Sequence, residues 1–317
     1  SLIHRAFYAL PTLTTSSGEH TNAVYGFTTM LLKLLTEQRP SYAAVAFDMG
    51  APTFRHRRYE LYKANRQKMP DPLLSQVKWV EDVVNAFRIR TFAERGYEAD
   101  DLIGTICRLI GEKRPERPGG IEVMIVTSDR DCLQLVEDGV SVLLTRRGMT
   151  EMDCYDVARV RERLGVEPSQ IPDLKGLMGD SSDNIPGVPG IGEKKASELI
   201  KRFGSIDEVY RRLEDLDART RSKLEPNREL AELSRELATI RKEAPIRFEL
   251  EECRLVAPDS KALEQIFLRL EFRSLIPRLR EAASSLYSKA PAGAAQAAGT
   301  GGPAGAAGVA GAAVTAP

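Results

Sequence analysis

The spacing of apolar residues predicts a first half in which helices alternate with strands. Apolar positions recur at helical spacing over residues 23–35, 76–87 and 101–110. Short apolar runs over residues 42–47, 88–92, 122–127 and 140–145 predict strands between these helices. Strands that alternate with helices are typical of an α/β domain with a mostly parallel central sheet and helices on both faces.

The pattern changes near residue 176, after which helical spacing dominates to about residue 283. Prolines interrupt the helical pattern at positions 186, 189, 226 and 245, and residues 247–250 suggest a brief strand. From residue 289 the chain is almost wholly Ala, Gly and Pro, which predicts a flexible linker or tail. We therefore divide the chain into an α/β core over residues 1–175, a helical region over 176–283 and a linker over 284–317.

Composition narrows the class of protein only slightly. The 317 residues are 42% hydrophobic, and Lys plus Arg equals Asp plus Glu at 45 each, so net charge identifies no partner. Residues 54–68 contain six basic residues and only one acid. This stretch could steer a polyanion or could form a solvated helix face. The basic residues are Arg55, Arg57, Arg58, Lys63, Arg66 and Lys68. Four cysteines without a CxxC pair, and no apolar run long enough for a bilayer, lead us to expect a soluble intracellular protein.

Eight carboxylates fall in four short clusters. They are Asp48; Glu98, Asp100 and Asp101; Asp129 and Asp131; and Asp180 and Asp183. Two clusters directly follow predicted strands, where sites form at the carboxyl edge of an open α/β sheet. Taken singly, each cluster could instead be a turn, a helix cap or a complement to a helix dipole. Taken together, so many acids would repel one another, which predicts that divalent cations neutralise them. Ligands that are all oxygen atoms select Mg²⁺ or Mn²⁺.

A glycine-rich hairpin follows the last acidic cluster. Residues 187–192 read Gly-Val-Pro-Gly-Ile-Gly and open an amphipathic helix that runs to Phe203. Gly190 and Gly192 permit a close backbone approach, and amides at a helix start can bind phosphate. Lys194 and Lys195 add positive charge that would attract a phosphate backbone whatever its base sequence. This segment predicts a helix-hairpin-helix that grips a DNA backbone.

These motifs resemble, in family order, the flap-endonuclease superfamily and in particular the 5′-nuclease domain of bacterial DNA polymerase I. The resemblance covers residues 1–279 and rests on the segments 5–11, 22–27, 46–48, 54–56, 62–66, 96–101, 128–131, 179–196, 233–240 and 270–275. It implies a PIN/flap-endonuclease-like core with a helical arch at about residues 52–80, followed by a helix-hairpin-helix subdomain.

The resemblance implies a two-metal phosphodiesterase that acts on DNA with 5′ flaps, nicks or free 5′ ends. All eight acids would hold two Mg²⁺ ions, for which Mn²⁺ could substitute, directly or through water. Lys63, Arg66 and Arg55 would contact the scissile phosphate, whereas Tyr62 would either stack on a base or pack the arch. Gly187, Gly190, Ile191, Gly192, Lys194 and Lys195 would bind duplex DNA, with K⁺ held by carbonyls near Gly187 and Ile191.

One departure from the family concerns the start of the chain. Family members begin with a strand that ends in a metal-binding Asp-Gly pair, and this chain starts about three residues after that Asp. The alternative to an enzyme is therefore a non-catalytic module that binds DNA junctions. A third interpretation, an RNA-cleaving nuclease, does not explain the hairpin. We expect a monomer of the bacterial cytoplasm, associated with the nucleoid and not with a membrane, whose parent protein carries a linked polymerase domain.

Overall fold

The computed structural model describes residues 1–112, 120–146 and 151–287, and the side chains of its last helix to residue 283. The strands are β1 Ala44–Ala46, β2 Arg90–Phe92, β3 Val123–Thr127, β4 Val140–Thr145 and β5 Met152–Tyr155. The helices are α1 Leu2–Ala9, α2 Asn22–Gln38, α3 Phe54–Arg58, α4 Asp71–Ala86, α5 Ala99–Glu112, α6 Val157–Leu164, α7 Ile171–Met178, α8 Glu193–Phe203, α9 Ile206–Arg211, α10 Ala218–Leu224, α11 Arg228–Ala238, α12 Ser260–Arg269 and α13 Leu275–Tyr287.

The strands form two small sheets. Strands β1 and β2 pair in parallel, β3 and β4 pair in parallel, and β5 is antiparallel to β4. The prediction of mostly parallel strands is thus confirmed, but within the described residues the strands do not join into one central sheet. A narrow apolar cleft of about 30 Å³ is lined by Ala43 beside β1, by Met124 and Val126 of β3, and by residues of α2.

Alternate residues of each sheet enter two different cores. Val45 and Phe47 pack in a core with residues of α1, α2, α4, α12 and α13, whereas Ala44 and Ala46 pack in a core that includes α5. Strand β4 divides in the same way, with Leu143 in the first core and neighbouring residues in the second. Because successive strand residues point to opposite faces, this division confirms that helices cover both faces of the strands.

One predicted strand is absent, and one observed strand was not predicted. Residues 247–249 form no strand, and a 3-10 helix spans Leu250–Cys253 instead. Phe248 and Leu250 are both buried, which produces the two-residue period of a strand. The backbone beyond them makes only an isolated bridge between Tyr42 and Arg254. Strand β5 was not predicted, because its sequence Met-Asp-Cys-Tyr mixes polar and apolar residues without a clear period.

The second half of the described chain is helical, as predicted. Helices α7 and α11 pack closely at Gly176, where a Cβ would lie 2.4 Å from Cδ1 of Ile206 and 2.9 Å from Cβ of Arg235. The hairpin then leads into α8, which begins at Glu193. Of the predicted linker, residues 288–317 lie outside the described residues. None of the described helices is both long and apolar enough to cross a bilayer.

Candidate active site and hairpin

Three acids from separate segments meet at the carboxyl ends of β1 and β3. Asp48 follows β1, and its Oδ1 accepts a 2.8 Å hydrogen bond from the Ala99 amide at the start of α5. Asp100 lies in the first turn of α5, and its Oδ1 accepts a 3.4 Å hydrogen bond from the Cys132 thiol. Asp129 follows β3 and caps the 3-10 helix Arg130–Leu135. The predicted cap is therefore present, and it places Asp129 beside the other two acids.

The charges of these three acids are poorly compensated. Burial raises the pKa of Asp100 well above its ordinary value, and the charges of Asp129 and Asp48 raise it further. Burial also raises the pKa of Asp48, against the lowering effect of the hydrogen bond from the Ala99 amide. Among the ion pairs of residues 1–112, 120–146 and 151–287, none joins a side-chain cation to these acids: Asp48, Asp100 and Asp129. Such a cluster favours an added cation.

A second pair of acids shares one lysine. Lys175 of α7 forms ion pairs with Asp131 and, at 2.5 Å, with Oδ2 of Asp180. Burial and the charge of Asp129 raise the pKa of Asp131 to about 7, although Lys175 acts in the opposite direction. Burial alone would raise the pKa of Asp180, but Lys175 outweighs it and the pKa lies below its ordinary value. Lys175 could not be predicted as a site residue, since a lysine in an amphipathic helix carries no distinctive pattern.

Glu98 and Asp183 are paired with two of the three basic residues expected at the scissile phosphate. Nζ of Lys63 lies 2.8 Å from Oε2 of Glu98 and 3.7 Å from Oδ2 of Asp183, and Arg66 also forms an ion pair with Asp183. Burial disfavours ionisation of Glu98, but Lys63 and then Arg55 reverse this effect and lower its pKa to about 2. These cations therefore lie within the acidic cluster and partly neutralise it.

The segment that carries Lys63 is fastened to the acidic loop by backbone contacts. Lys63 has the left-handed φ of 56°, and its amide donates to the Asp183 carbonyl at 2.9 Å. Asn184, also at φ 56°, donates through Nδ2 to the Leu61 carbonyl at 2.7 Å. Asn65 donates to the Ser181 carbonyl at 2.7 Å. A strained conformation at a non-glycine residue persists only where its surroundings hold it, which indicates a fixed backbone position for Lys63.

Asp101 and Arg55 are placed differently from the other predicted site residues. Asp101 is fully buried, and its oxygens accept two hydrogen bonds from Arg55 as well as the amides of Glu98 and Arg241. Arg55 is 3% exposed and also donates to the carbonyls of Leu237 and Thr239. With these contacts in place, Asp101 has little capacity left for a metal and Arg55 little for a phosphate. We therefore leave both out of the proposed chemistry.

Tyr62 packs inside the site. Its side chain is 3% exposed, and its hydroxyl donates to Glu98 and Asp183 at 3.2 Å each. The ring offers no open face for a base, so the geometry favours packing over stacking. His56 accepts a 3.1 Å hydrogen bond from the Thr53 amide in a capping box at the start of α3.

The donor chemistry suits a hard divalent cation, although the side chains are not arranged around one. Within the described ranges, no group of three or more His, Cys, Asp or Glu residues stands ready to hold a metal. Lys63, Arg66 and Lys175 instead bond to four of the acids. The remaining cluster of Asp48, Asp100 and Asp129 offers carboxylate oxygens. Burial raises the pKa of both Asp48 and Asp100, and the neighbouring acids raise that of Asp100 further. These residues fit Mg²⁺ or Mn²⁺ chemically.

The hairpin exposes backbone at Gly190 and Gly192 and buries its two branched apolar side chains. Val188 and Ile191 are 2% and 4% exposed, so Ile191 can reach a ligand only through its main chain. Gly192 caps α8 without a side-chain acceptor, and Lys194 is exposed beside it. Lys195 lies within ion-pair distance of two acids, Glu198 at 3.6 Å and Asp217 at 3.8 Å. The open helix start and its lysines form a surface that can accept phosphate.

The fold is shared with the T5 5′-exonuclease and with the catalytic core of Rad2. A structure of the bacteriophage T5 5′-exonuclease with bound zinc aligns with a TM-score of 0.55 at 22% identity, over 83% of this chain and 90% of that one. The catalytic core of Rad2 in complex with DNA substrate aligns with a TM-score of 0.52 at 18% identity, over 87% of this chain and 90% of that one.

The sequence belongs to the 5′-3′ exonuclease family. Residues 1–165 match the family's N-terminal resolvase-like domain, and residues 166–261 match its C-terminal SAM fold. DNA polymerase I of Caldicellulosiruptor bescii is 43% identical over 281 residues, which are 88% of this chain and 32% of that protein. DNA polymerase I of Bacillus subtilis is 42% identical over 282 residues, 89% of this chain and 31% of that protein. The chain thus spans about a third of these relatives, and the family resemblance inferred from its motifs is confirmed.

Proposed function

We propose that this chain is a structure-specific 5′-3′ nuclease that hydrolyses phosphodiesters of DNA at 5′ flaps, nicks and free 5′ ends. Membership of the 5′-3′ exonuclease family supports the reaction class. The observation that carries the proposal is the meeting of Asp48, Asp100 and Asp129 from three chain segments, with the pKa of Asp48 and of Asp100 raised. Acids so placed are costly to ionise unless a cation joins them.

In this proposal the acids bind metal, and two basic residues neutralise charge. Asp48, Asp100, Asp129 and Asp131 would hold two Mg²⁺ ions, with Asp180, Asp183 and Glu98 as outer acceptors that act through water. When bound at these residues, such ions would activate a water and stabilise the charge of the leaving oxygen. Lys63 and Arg66 would turn from the outer acids towards the non-bridging oxygens of the scissile phosphate, where they neutralise developing charge.

Cleavage of end-labelled DNA tests this proposal. A duplex with a 5′ flap, a nicked duplex and a free 5′ end are incubated with Mg²⁺, with Mn²⁺ and with a chelator. We expect cleavage only with metal, and its loss in Asp100→Asn and Asp129→Asn while flap binding remains. Glu122→Gln removes an exposed carboxylate ahead of β3 and serves as the matched control. Metal-independent cleavage, or full activity in both Asn variants, would refute the proposed ligand set.

The second candidate is a module that binds DNA junctions without cleaving them. The observation that favours it is the occupation of four acids by Lys63, Arg66 and Lys175. If these ion pairs persist when DNA binds, the acids cannot gather metal. The same assay separates the two candidates, because the module would bind flap DNA tightly and release no product at any metal concentration.

We further propose that the chain acts as the nuclease part of a longer bacterial polymerase. Its relatives are named DNA polymerase I, and it matches about a third of their length. In that setting the nuclease would work in the cytoplasm on the strand ahead of the polymerase. Mass spectrometry of the protein purified from its source would give the mass of the full chain. That mass would show whether a polymerase domain is linked to the nuclease.

A further inference from the structure

Lys223 of α10 reaches the exposed turn of the hairpin. Its Nζ donates a 2.8 Å hydrogen bond to the carbonyl oxygen of Gly190. Gly190 has the left-handed φ of 79°, and a Cβ there would lie 3.0 Å from Nζ and 3.2 Å from Cε of Lys223. Glycine at this position therefore meets two requirements at once, the shape of the turn and room for the lysine side chain.

The position of Lys223 is fixed by its own helix. Asp217 caps α10 through hydrogen bonds from the amide and hydroxyl of Thr220, at 2.9 and 2.7 Å. Leu224, the next residue after Lys223, is fully buried, and the Lys223 carbonyl accepts a bond from Asn227. The ion pair of Asp217 with Lys195 also joins α10 to the start of α8. Contacts at both ends of α10 therefore hold the Lys223 ammonium beside the hairpin.

The charge of Lys223 remains available to an anion. Its partner is a carbonyl, and the ion pairs within the described part of the chain include no carboxylate bound to this lysine. An ammonium has three donors, of which the Gly190 carbonyl uses one. Pro189, Gly190, Gly192 and Lys194 around it are exposed, so a phosphate could approach the lysine and the α8 amides together.

The expected K⁺ site does not fit this arrangement well. Gly187, one of the two residues whose carbonyls were expected to hold it, is buried and offers little surface to an ion shared with a DNA phosphate. The carbonyl on the exposed turn is that of Gly190, and a cationic group already occupies it. A monovalent metal ion would duplicate a charge that the chain itself supplies.

We propose that Lys223 is the built-in cation of the hairpin and binds a phosphate of duplex DNA in place of a monovalent metal ion. This inference rests on the proposed role of the hairpin in DNA binding. It makes duplex binding independent of the identity of the monovalent cation, and it makes Lys223 a residue for affinity and not for the chemical step.

Binding of fluorescently labelled 5′-flap duplex, measured by anisotropy in chelator so that nothing is cleaved, tests the proposal. KCl, NaCl and tetramethylammonium chloride are compared at one ionic strength. We expect equal Kd values for the parent protein in all three salts, and a loss of about tenfold for Lys223→Met in tetramethylammonium that K⁺ partly restores. Lys223→Arg should retain binding, and Lys261→Met on α12 is the control for one lost surface charge.

Either of two results would overturn the proposal: K⁺-dependent binding by the parent protein, or normal binding by Lys223→Met. Steady-state cleavage with Mg²⁺ adds an independent readout, since Lys223→Met should raise KM about tenfold with kcat unchanged. If the parent protein cleaves nothing, the proposed nuclease function fails while the salt comparison still reports on Lys223.

Discussion

Arg55 and Asp101 form a buried, two-point ion pair that joins three parts of the chain. Nη1 and Nη2 of Arg55 each lie 2.8 Å from an oxygen of Asp101, with the two residues 3% and 0% exposed. Arg55 lies in α3, Asp101 in the first turn of α5, and the carbonyls of Leu237 and Thr239 at the end of α11 accept its remaining donors. The pair therefore fixes the base of the predicted arch to the acid-bearing helix and to the helical region.

Asp101→Asn should destabilise the protein without changing its metal requirement. The change leaves the buried Arg55 guanidinium without its counter-charge, and breaking one side of such a pair costs about 3–5 kcal/mol. Urea unfolding should show this loss, while the Mg²⁺ concentration for half-maximal cleavage stays that of the parent protein. Asp100→Asn is the comparison, since it should abolish cleavage at every Mg²⁺ concentration with little loss of stability. The reverse pattern would return Asp101 to the ligand set.

Lys63→Met should slow cleavage far more than it weakens flap binding. Removal of a preorganised cation from a reacting phosphate typically costs 10²–10³-fold in rate, roughly the loss we expect in kcat. The segment should keep its position, because the Lys63 amide and the side chains of Asn65 and Asn184 hold it through backbone contacts. Single-turnover cleavage and anisotropy measure the two effects, with the exposed Lys68→Met as the matched control. Equal losses in rate and affinity would mean that Lys63 only attracts DNA.

The sequence predicted where the acids meet, because strand ends and loop positions follow from local patterns. Asp48 and Asp129 follow short apolar runs, and the hairpin is recognisable from its glycines alone. The partners of those acids could not be predicted in the same way. Arg55 meets Asp101 across 46 residues and Leu237 across 182, and no local period records such contacts. Lys175 and Lys223 could not be predicted for the same reason, because the role of each depends on an acid or a carbonyl that is far away in the sequence.

In the absence of metal, the protein should lose stability as pH rises from about 4 to 7. Burial and the charge of Asp129 raise the pKa of Asp131 to about 7, so the folded state holds a proton that the unfolded chain has released. Where the folded state binds more protons than the unfolded state, the free energy of unfolding falls as pH rises. Thermal unfolding in chelator should show this fall, and Asp131→Asn should flatten it. Mg²⁺ should restore stability most at high pH, and a metal-free Tm that rises over this interval would contradict the argument.

Gly187→Ala should disrupt the hairpin, whereas Gly192→Ala should leave the fold intact. Gly187 has a φ of 62°, and a Cβ there would lie 2.2 Å from the amide nitrogen of Gly179, a backbone atom that cannot move aside cheaply. Gly192 has an ordinary φ of −92° and open space around a Cβ. Strain and overpacking of this kind cost about 1–3 kcal/mol each, so Gly187→Ala should unfold at markedly lower urea concentration. Equal unfolding midpoints for the two variants would show that the contact between Gly179 and Gly187 does not hold the hairpin.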